Sequence, residues 1–262
     1  MALTERIGKM RVEIKIVTPS MAESFLLENN SNRKLNKPQL DMLVRTIKAG
    51  NWALTHQGVA IYDDGTLADG QHRLSAIVES GIACMMPVFY GVEKTEKTVM
   101  AVDCGKLRSV TDSSAISGNS VRASDVSLAK AIEYGMNCRA PRLTHQESSD
   151  LCKKHASSLD MINILLPSNR AVVSSVPIKA ALVKAKELGV DLELLKSICE
   201  VLYTGEYVDA KLTGAVRLRN KLFSIKAAGS GTAIDMYSMV LNTCMKINRG
   251  DDVKTISKAR VY

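Results

Sequence analysis

The segment Asp-Gly-Gln-His-Arg contains the side chains of this chain that are best suited to hold an anion. It consists of Asp69, Gly70, Gln71, His72 and Arg73. A glycine lets the backbone approach a ligand closely, and the N–H groups that follow it at the start of a helix attract an anion. The histidine and the arginine add side-chain donors that suit a phosphate group. The spacing predicts a phosphate cradle. The alternative is that Arg73 simply forms an ion pair with Asp69 or is hydrated by solvent.

The residues around this segment predict a strand, a turn and a helix. Residues 63–65 (Asp-Asp-Gly) are typical of a turn, and residues 66–68 return as a strand. From Leu74 the apolar residues follow helical spacing as far as Gly81, where a glycine is typical of a helix end. The cradle is therefore expected at the junction of a strand and a helix.

The segment from Gly70 to Ala76 resembles the central box of the ParB/sulfiredoxin superfamily. ParB proteins carry Gly-Glu-Arg-Arg-x-Arg-Ala there, and sulfiredoxins carry Gly-Cys-His-Arg. The form Asp-Gly-Gln-His-Arg is similar to a branch common in phages and mobile elements, and Asn32-Arg33 resembles the first box of the family. The resemblance covers roughly residues 10–115. It implies that nucleotide phosphates are bound by Asn32, Arg33, Gly70, Gln71, His72 and Arg73.

Gln71 differs from the residue that both groups of similar proteins carry at this position. Sulfiredoxins have their reactive cysteine there and ParB proteins have a glutamate. Sulfinic-acid repair is therefore not expected, and a carboxylate is missing at this position. Nucleotide binding is therefore favoured over hydrolysis. Asp69 could supply a carboxylate that holds a metal or orients His72, and these two residues are the candidate catalytic groups.

A second compact cluster of acid, glycine and bases lies at residues 103–109. It is similar to a segment of the phage-type branch at this distance behind the central box. Its backbone could donate to phosphate, with Lys106 and Arg108 near the same ligand. It lacks the spacing of a P-loop. A charged loop capped by Ser109 is the equal alternative.

The positive charge of the chain is concentrated in its second half. The 262 residues carry a formal net charge of +8. Up to Ser117 there are 14 lysines and arginines against 13 acids, and beyond it there are 21 against 14, so the halves carry +1 and +7. This excess suggests an anionic partner, most simply nucleic acid. A basic surface without a specific partner is the alternative.

Five basic residues on a helix predicted over residues 211–226 form the candidate DNA contact. They are Lys211, Arg217, Arg219, Lys221 and Lys226, with no acid between them. Arg217 and Lys221 share one helix face, and like charges placed so are mildly unfavourable unless an anion screens them. No helix-turn-helix pattern is present, so sequence-specific readout is not predicted.

Cysteine and hydropathy patterns argue against other classes of protein. The six cysteines form no Cys-x-x-Cys pair and have no ligand spacing with the four histidines, so neither a structural zinc site nor a disulfide framework is expected. No apolar run of about eighteen residues occurs, and the first residues lack the apolar core of a signal peptide. We therefore expect no membrane partner and a cytoplasmic location.

The strand and helix patterns predict an α+β fold in two domains. A small mixed sheet with helices, the ParB/sulfiredoxin-like nucleotide-binding domain, is expected over residues 1–117, and a basic, all-helical domain over residues 118–262. The boundary is placed in the small polar stretch of residues 111–119. Residues 10–18 alternate apolar and charged side chains, which predicts a half-exposed strand.

The leading hypothesis is a nucleotide-binding ParB-like protein that acts on or with DNA and originates from a phage or mobile element. ATP or CTP is the expected ligand, with or without Mg²⁺. One alternative is a phosphoryl-transfer enzyme of the same superfamily, a nucleotide hydrolase or a nuclease. Another is a non-catalytic interaction protein that kept the fold. The sequence leaves open which nucleotide binds and whether the chain forms a homodimer.

Overall fold

A computed structural model of the chain describes eight stretches of sequence. They are residues 10–28, 34–101, 109–116, 121–136, 140–167, 172–207, 209–227 and 232–258. Within them a small mixed sheet lies toward the N-terminus and helices follow, which confirms the predicted α+β class. The chain divides into a sheet unit, residues 1–107 and 141–143, and a helical unit, residues 108–140 and 144–262. The boundary predicted between residues 117 and 118 lies outside the described residues.

The sheet unit is built from four strands and four helices in its described part. In chain order they are β1 (Arg11–Val17), α1 (Pro19–Leu27), α2 (Lys37–Lys48), β2 (Val59–Tyr62), β3 (Leu67–Asp69), α3 (Gln71–Ser80), β4 (Cys84–Val92) and α4 (Glu96–Ala101). The strand order is β1-β4-β2-β3. β4 runs antiparallel to β1 and parallel to β2, and β3 returns antiparallel to β2. β1 therefore lies at an edge of the sheet.

One face of the sheet forms the core of this unit together with α1, α2 and α3. Buried residues of this core include Val17, Leu40, Val44, Val59, Ile61, Leu74, Ile77, Met86 and Val88. Removal of this apolar surface from water is the main force that holds the helices on the sheet. Trp52 packs against the same core, and its indole Nε1 donates to the carbonyl oxygen of Met85 at 3.0 Å.

β1 presents Val12, Ile14 and Ile16 to solvent, whereas Val17 at its end is buried in this core. The exposed fractions are 55% for Val12 and 59% for both Ile14 and Ile16. The charged residues between them share the sheet face of the buried strand residues, and the guanidinium of Arg11 lies 5.2 Å from the ring centre of Tyr90. The alternation therefore predicts a half-exposed strand, and the pairing with β4 decides which side chains face water.

The helical unit contains eight α-helices and one 3₁₀ helix in its described part. They are α5 (Val110–Ile116), α6 (Ala123–Tyr134), α7 (His145–Lys154), α8 (Ala156–Leu165), α9 (Val176–Glu187), α10 (Leu192–Thr204), a 3₁₀ helix (Ala210–Leu212), α11 (Thr213–Ala227) and α12 (Ala233–Asn248). The capping box predicted from Thr144 and Glu147 is present at the start of α7. α9 packs between α6 and α12 and is the centre of this unit.

α5 lies largely within the small polar stretch of residues 111–119 in which the sequence places the domain boundary. Ser109 and Asp112 form a local cap at its start. The Ser109 backbone N–H donates to the Asp112 carboxylate at 2.9 Å, and the Asp112 N–H donates to the Ser109 hydroxyl oxygen at 3.1 Å. Ser114 is buried, and Ser113 hydrogen-bonds to His145 of α7 at 2.7 Å. Small polar residues thus form a helix that tertiary contacts stabilise.

α9 carries a buried lysine whose charge is satisfied by neighbouring side chains. The ammonium of Lys179 donates to Oδ1 of Asn163 at 2.7 Å, and Nδ2 of Asn163 donates to Asp125 at 3.1 Å. Burial lowers the pKa of Lys179, while the nearby carboxylate of Asp125 opposes that effect. The amide therefore links two charges that would be costly to bury alone.

The turn that leads into β3 depends on an ionised carboxylate at Asp64. This carboxylate accepts from the ammonium of Lys94 at 2.6 Å and from the backbone N–H of Thr66 at 2.9 Å. Lys94 and then Thr66 lower the pKa of Asp64 from its ordinary 3.8 to about 2. Because the pKa is depressed in the folded state, these bonds stabilise the turn fully above pH 3.8 and are lost as the pH falls toward 2.

A carbon-detected NMR titration of Asp64 should therefore give a pKa of about 2 in the wild-type protein. In Lys94→Ala the pKa should rise toward 3.8, because the strongest donor to the carboxylate is lost. Lys97→Ala removes the same charge from α4 and should leave the titration unchanged. An unaltered pKa in Lys94→Ala would show that Lys94 does not hold this turn.

Candidate functional site

The predicted cradle lies where β3 ends and α3 begins, as the sequence predicts for a strand followed at once by a helix. β3 ends at Asp69, Gly70 alone makes the turn, and α3 starts at Gln71. The far end of α3 is closed by Gly81, whose N–H bonds to the carbonyl oxygens of Ile77 and Val78. The site is therefore held between two ordered elements rather than on a long loop.

Gly70 is required at the junction for two separate reasons. Its backbone is left-handed, with φ of 107°, a conformation that side chains disfavour. A Cβ at this position would also lie 2.9 Å from Cγ2 and 3.1 Å from Cα of Val59 on β2. The absence of a side chain thus lets α3 start directly against the neighbouring strand.

The N-cap residue of α3, Gly70, has no side chain with which to cap the first turn. Gly70 offers no oxygen to the N–H groups of this turn, and the first intrahelical bond runs from the Leu74 N–H to the Gly70 carbonyl oxygen at 3.0 Å. N–H groups at a helix start point along the axis and carry the positive end of the helix dipole. This is the backbone geometry that binds phosphate in proteins.

Arg73 holds the junction together through its guanidinium. Nη1 donates to the carbonyl oxygen of Gly58 at 2.6 Å and lies 3.4 Å from a carboxylate oxygen of Asp69. The ion pair with Asp69 is the plainer of the two roles that the sequence suggests for this arginine, and it is present. The side chain is 21% exposed.

His72 connects the start of α3 to the start of α2. The backbone N–H of Asn36 donates to Nε2 of His72 at 2.9 Å. An accepting ring nitrogen carries a lone pair, so in this contact Nε2 is unprotonated. Asn36 is the N-cap of α2, and its Oδ1 accepts from the Gln39 N–H at 3.1 Å. The side chain of His72 therefore connects the N-terminal, positive ends of α2 and α3.

Asn36 and Gly58 belong to this site, although the sequence does not point to them. Asn36 has the pattern of a helix start, and Gly58 precedes a strand, but neither has a local signal for a contact with the cradle. Their partners lie 36 and 15 residues away in the chain. Gln71 is placed at the first position of α3 and is buried, with 6% of its surface exposed.

Other predicted site residues have no described position. Asn32, Arg33, Lys106 and Arg108 lie outside the described residues. The structure therefore brings together Asp69, Gly70, Gln71, His72 and Arg73 and leaves the two flanking clusters as predictions.

The described part of the chain contains no group of three or more His, Cys, Asp or Glu side chains that could hold a metal ion. None of its helices is both long and apolar enough to cross a membrane. Four cysteines within it, Cys84, Cys152, Cys199 and Cys244, are buried free thiols whose pKa is raised by burial, in the case of Cys244 to about 12.

The predicted basic helix is divided between the 3₁₀ helix, which contains Lys211, and α11. The prediction of one continuous helix from residue 211 is wrong, because the Asp209 carboxylate caps the N–H of Lys211 at 2.8 Å and a tighter turn precedes Thr213. Two of the five cations serve contacts within the unit. Arg217 donates to the carbonyl oxygen of Val253 at 2.6 Å, and Arg219 donates to that of Leu202 at 3.2 Å.

The remaining three cations of the predicted surface point to solvent. Lys211, Lys221 and Lys226 are exposed. Phe223 is 36% exposed, and the guanidinium of Arg219 lies 4.6 Å from the centre of its ring. α11 therefore carries exposed lysines and a partly exposed aromatic ring that contacts Arg219, which is a combination that suits nucleic acid.

Comparison of the chain with protein-family models, curated proteins and solved structures finds no match. The resemblance to the ParB/sulfiredoxin superfamily stays a prediction from the residues of the central box.

Gly70 and Gly81, the glycines at the two ends of α3, provide a direct test of the junction. Gly70→Ala should lower the free energy of unfolding by more than about 2 kcal/mol, because it adds both left-handed strain and a clash with Val59. Gly81→Ala should cost only about 1 kcal/mol, because its φ is 73° but nothing lies within 4 Å of the added Cβ. Urea unfolding measures both. Equal losses would show that the approach to Val59 is unimportant.

Proposed function

We propose that this chain is a nucleotide-binding protein that acts on or with DNA, similar in its sheet unit to ParB/sulfiredoxin proteins and of phage or mobile-element origin. Phosphates of ATP or CTP bind at the start of α3, and the exposed lysines of the 3₁₀ helix and α11 contact DNA. The observation that carries the proposal is the left-handed Gly70 at the start of α3, with Arg73 and His72 in the first turn behind it.

The surroundings of this turn favour a negative ligand. The start of α2 lies beside it through the contact between Asn36 and His72, so the positive ends of two helices act on the same region. Arg73 adds a formal charge that Asp69 neutralises only in part, at 3.4 Å and with both side chains partly exposed. In this proposal the backbone N–H groups provide the hydrogen bonds. Arg73 provides the positive charge, and His72 holds the starts of the two helices in position.

Calorimetric titration with ATP and with CTP, each with Mg²⁺, tests the nucleotide site. We expect one of the two nucleotides to bind, and pyrophosphate to compete with it, because the phosphates make the main contacts. Arg73→Ala should weaken binding by at least about tenfold, through loss of charge and of the anchor to Gly58.

Lys48→Ala is the matched control for this titration. It removes the same charge from the last turn of α2, at the opposite end of that helix from Asn36. Its affinity should equal that of the wild type. Urea unfolding of each variant confirms that the protein titrated is folded. A lack of heat with either nucleotide, or wild-type affinity in a folded Arg73→Ala protein, would contradict the proposed site.

DNA binding is tested separately on the helical unit within the full chain. The double variant Lys221→Ala/Lys226→Ala should bind a fluorescent duplex more weakly, and the slope of log K against log salt should fall by up to about 2, because each lost phosphate contact removes about one unit. Lys184→Ala/Lys196→Ala removes two exposed lysines from α9 and α10 and should leave the slope unchanged. Equal slopes in the two double variants would contradict a DNA surface on α11.

Catalysis of phosphoryl transfer stays a prediction for Asp69 and His72. The Asp69 carboxylate pairs with Arg73, and Nε2 of His72 accepts from the backbone of Asn36. Both side chains therefore have a positioning role in the junction. Nucleotide binding is proposed ahead of phosphoryl transfer, because binding needs only the backbone groups and charges that these contacts hold in place.

A further inference from the structure

The outer edge of β1 carries an unusual set of features for an exposed strand. Seven residues long, it forms the edge of the sheet, and no described strand pairs with its outer side. Its apolar residues Val12, Ile14 and Ile16 all lie on one sheet face and are more than half exposed. A long, apolar edge of this kind is a template for pairing with another strand.

The register with β4 shows which backbone groups face outward. Ile14 lies opposite Pro87, which has no N–H to donate. The carbonyl oxygen of Pro87 points toward Gly58 before β2, since it lies next to the position of a Cβ built on that glycine. Pro87 therefore directs its backbone away from β1, and this pair is of the type without hydrogen bonds. It follows that Ile14 directs its own N–H and C=O to the open edge.

The backbone N–H and C=O groups of Val12 and Ile16 also point to the open edge, because the direction of these groups alternates from one residue to the next along a strand. Three successive residues of the same parity thus offer both a donor and an acceptor at the edge. These are also the residues whose apolar side chains face solvent on one side of the sheet.

The sequence of β1 is complementary to itself when two copies run antiparallel about Ile14. Ile14 then faces Ile14 of the second copy, and Val12 faces Ile16. On the opposite sheet face Glu13 stands directly across from Lys15. Cross-strand pairs of aliphatic residues and of opposite charges stabilise a sheet, whereas like charges in these places destabilise it.

We propose that two copies of this chain associate through antiparallel pairing of their β1 strands about a two-fold axis at Ile14. Each of the three hydrogen-bonded pairs exchanges two backbone bonds, so the contact contains about six. The sheets of both copies become continuous, and the exposed apolar side chains of β1 pack against those of the partner. This interface is isologous, as expected for a homodimer.

Charge reversal at the two complementary positions tests this register. The wild-type chain should dimerise in sedimentation equilibrium, and Glu13→Lys should raise the dimer Kd by about tenfold or more, because a lysine then faces Lys15 at both symmetric pairs. Lys15→Glu should do the same, with two acids facing each other. Mixed in equal amounts, the two single variants should form a heterodimer, because each lysine now faces a glutamate.

Glu23→Lys is the matched control, since it makes the same charge change on the exposed surface of α1. It should dimerise like the wild type. The two β1 variants should stay folded by circular dichroism, because Glu13 and Lys15 are partly exposed and their contacts with each other, with Arg11 and with Tyr90 contribute little to the folding of one chain. A wild-type chain that stays monomeric, a dimer unaffected by Glu13→Lys, or variants that fail to associate when mixed would each overturn the proposal.

Discussion

The sheet unit depends on the close approach of Gly70 to Val59. β3 pairs with β2, and α3 must begin in the next residue while still packing over the same sheet. A side chain at residue 70 would meet the β2 backbone and would have to adopt a left-handed conformation. Because a glycine meets both conditions, the polar residues on each side of it are held at one point above the sheet edge.

Around this junction, tertiary contacts occupy the side chains that the sequence suggests for phosphate. Arg73 anchors the junction to the residue before β2, and His72 anchors it to the cap of α2. Their first effect is to order a backbone whose N–H groups point outward from a helix start. In the proposed function the backbone and the field of two helix ends bind the anion, with the guanidinium as an additional charge.

Elsewhere in the chain, too, residues that form a sequence pattern make contacts that the pattern does not predict. On α11 two arginines of the basic series bond to carbonyl oxygens of their own unit, whereas Lys221 and Lys226 are exposed. On β1 the apolar residues Val12, Ile14 and Ile16 face water and the charged residues share the core side with Val17, since the pairing with β4 sets the parity. A charge series or an alternating strand therefore indicates which residues act together but not the molecule they act on.

The sequence by itself determined the features that arise within a few neighbouring residues. The α+β class, the passage from strand through glycine to helix, and the Thr144–Glu147 capping box depend on local backbone preferences. Only the tertiary structure decided that Ser113 of α5 bonds to His145 of α7, that Arg73 bonds to the carbonyl oxygen of Gly58, and that His72 bonds to Asn36. The physical reason is that each of these contacts joins residues that are far apart in the chain. The partner of His72 lies 36 residues away, and such a distance leaves no periodic trace in the chain.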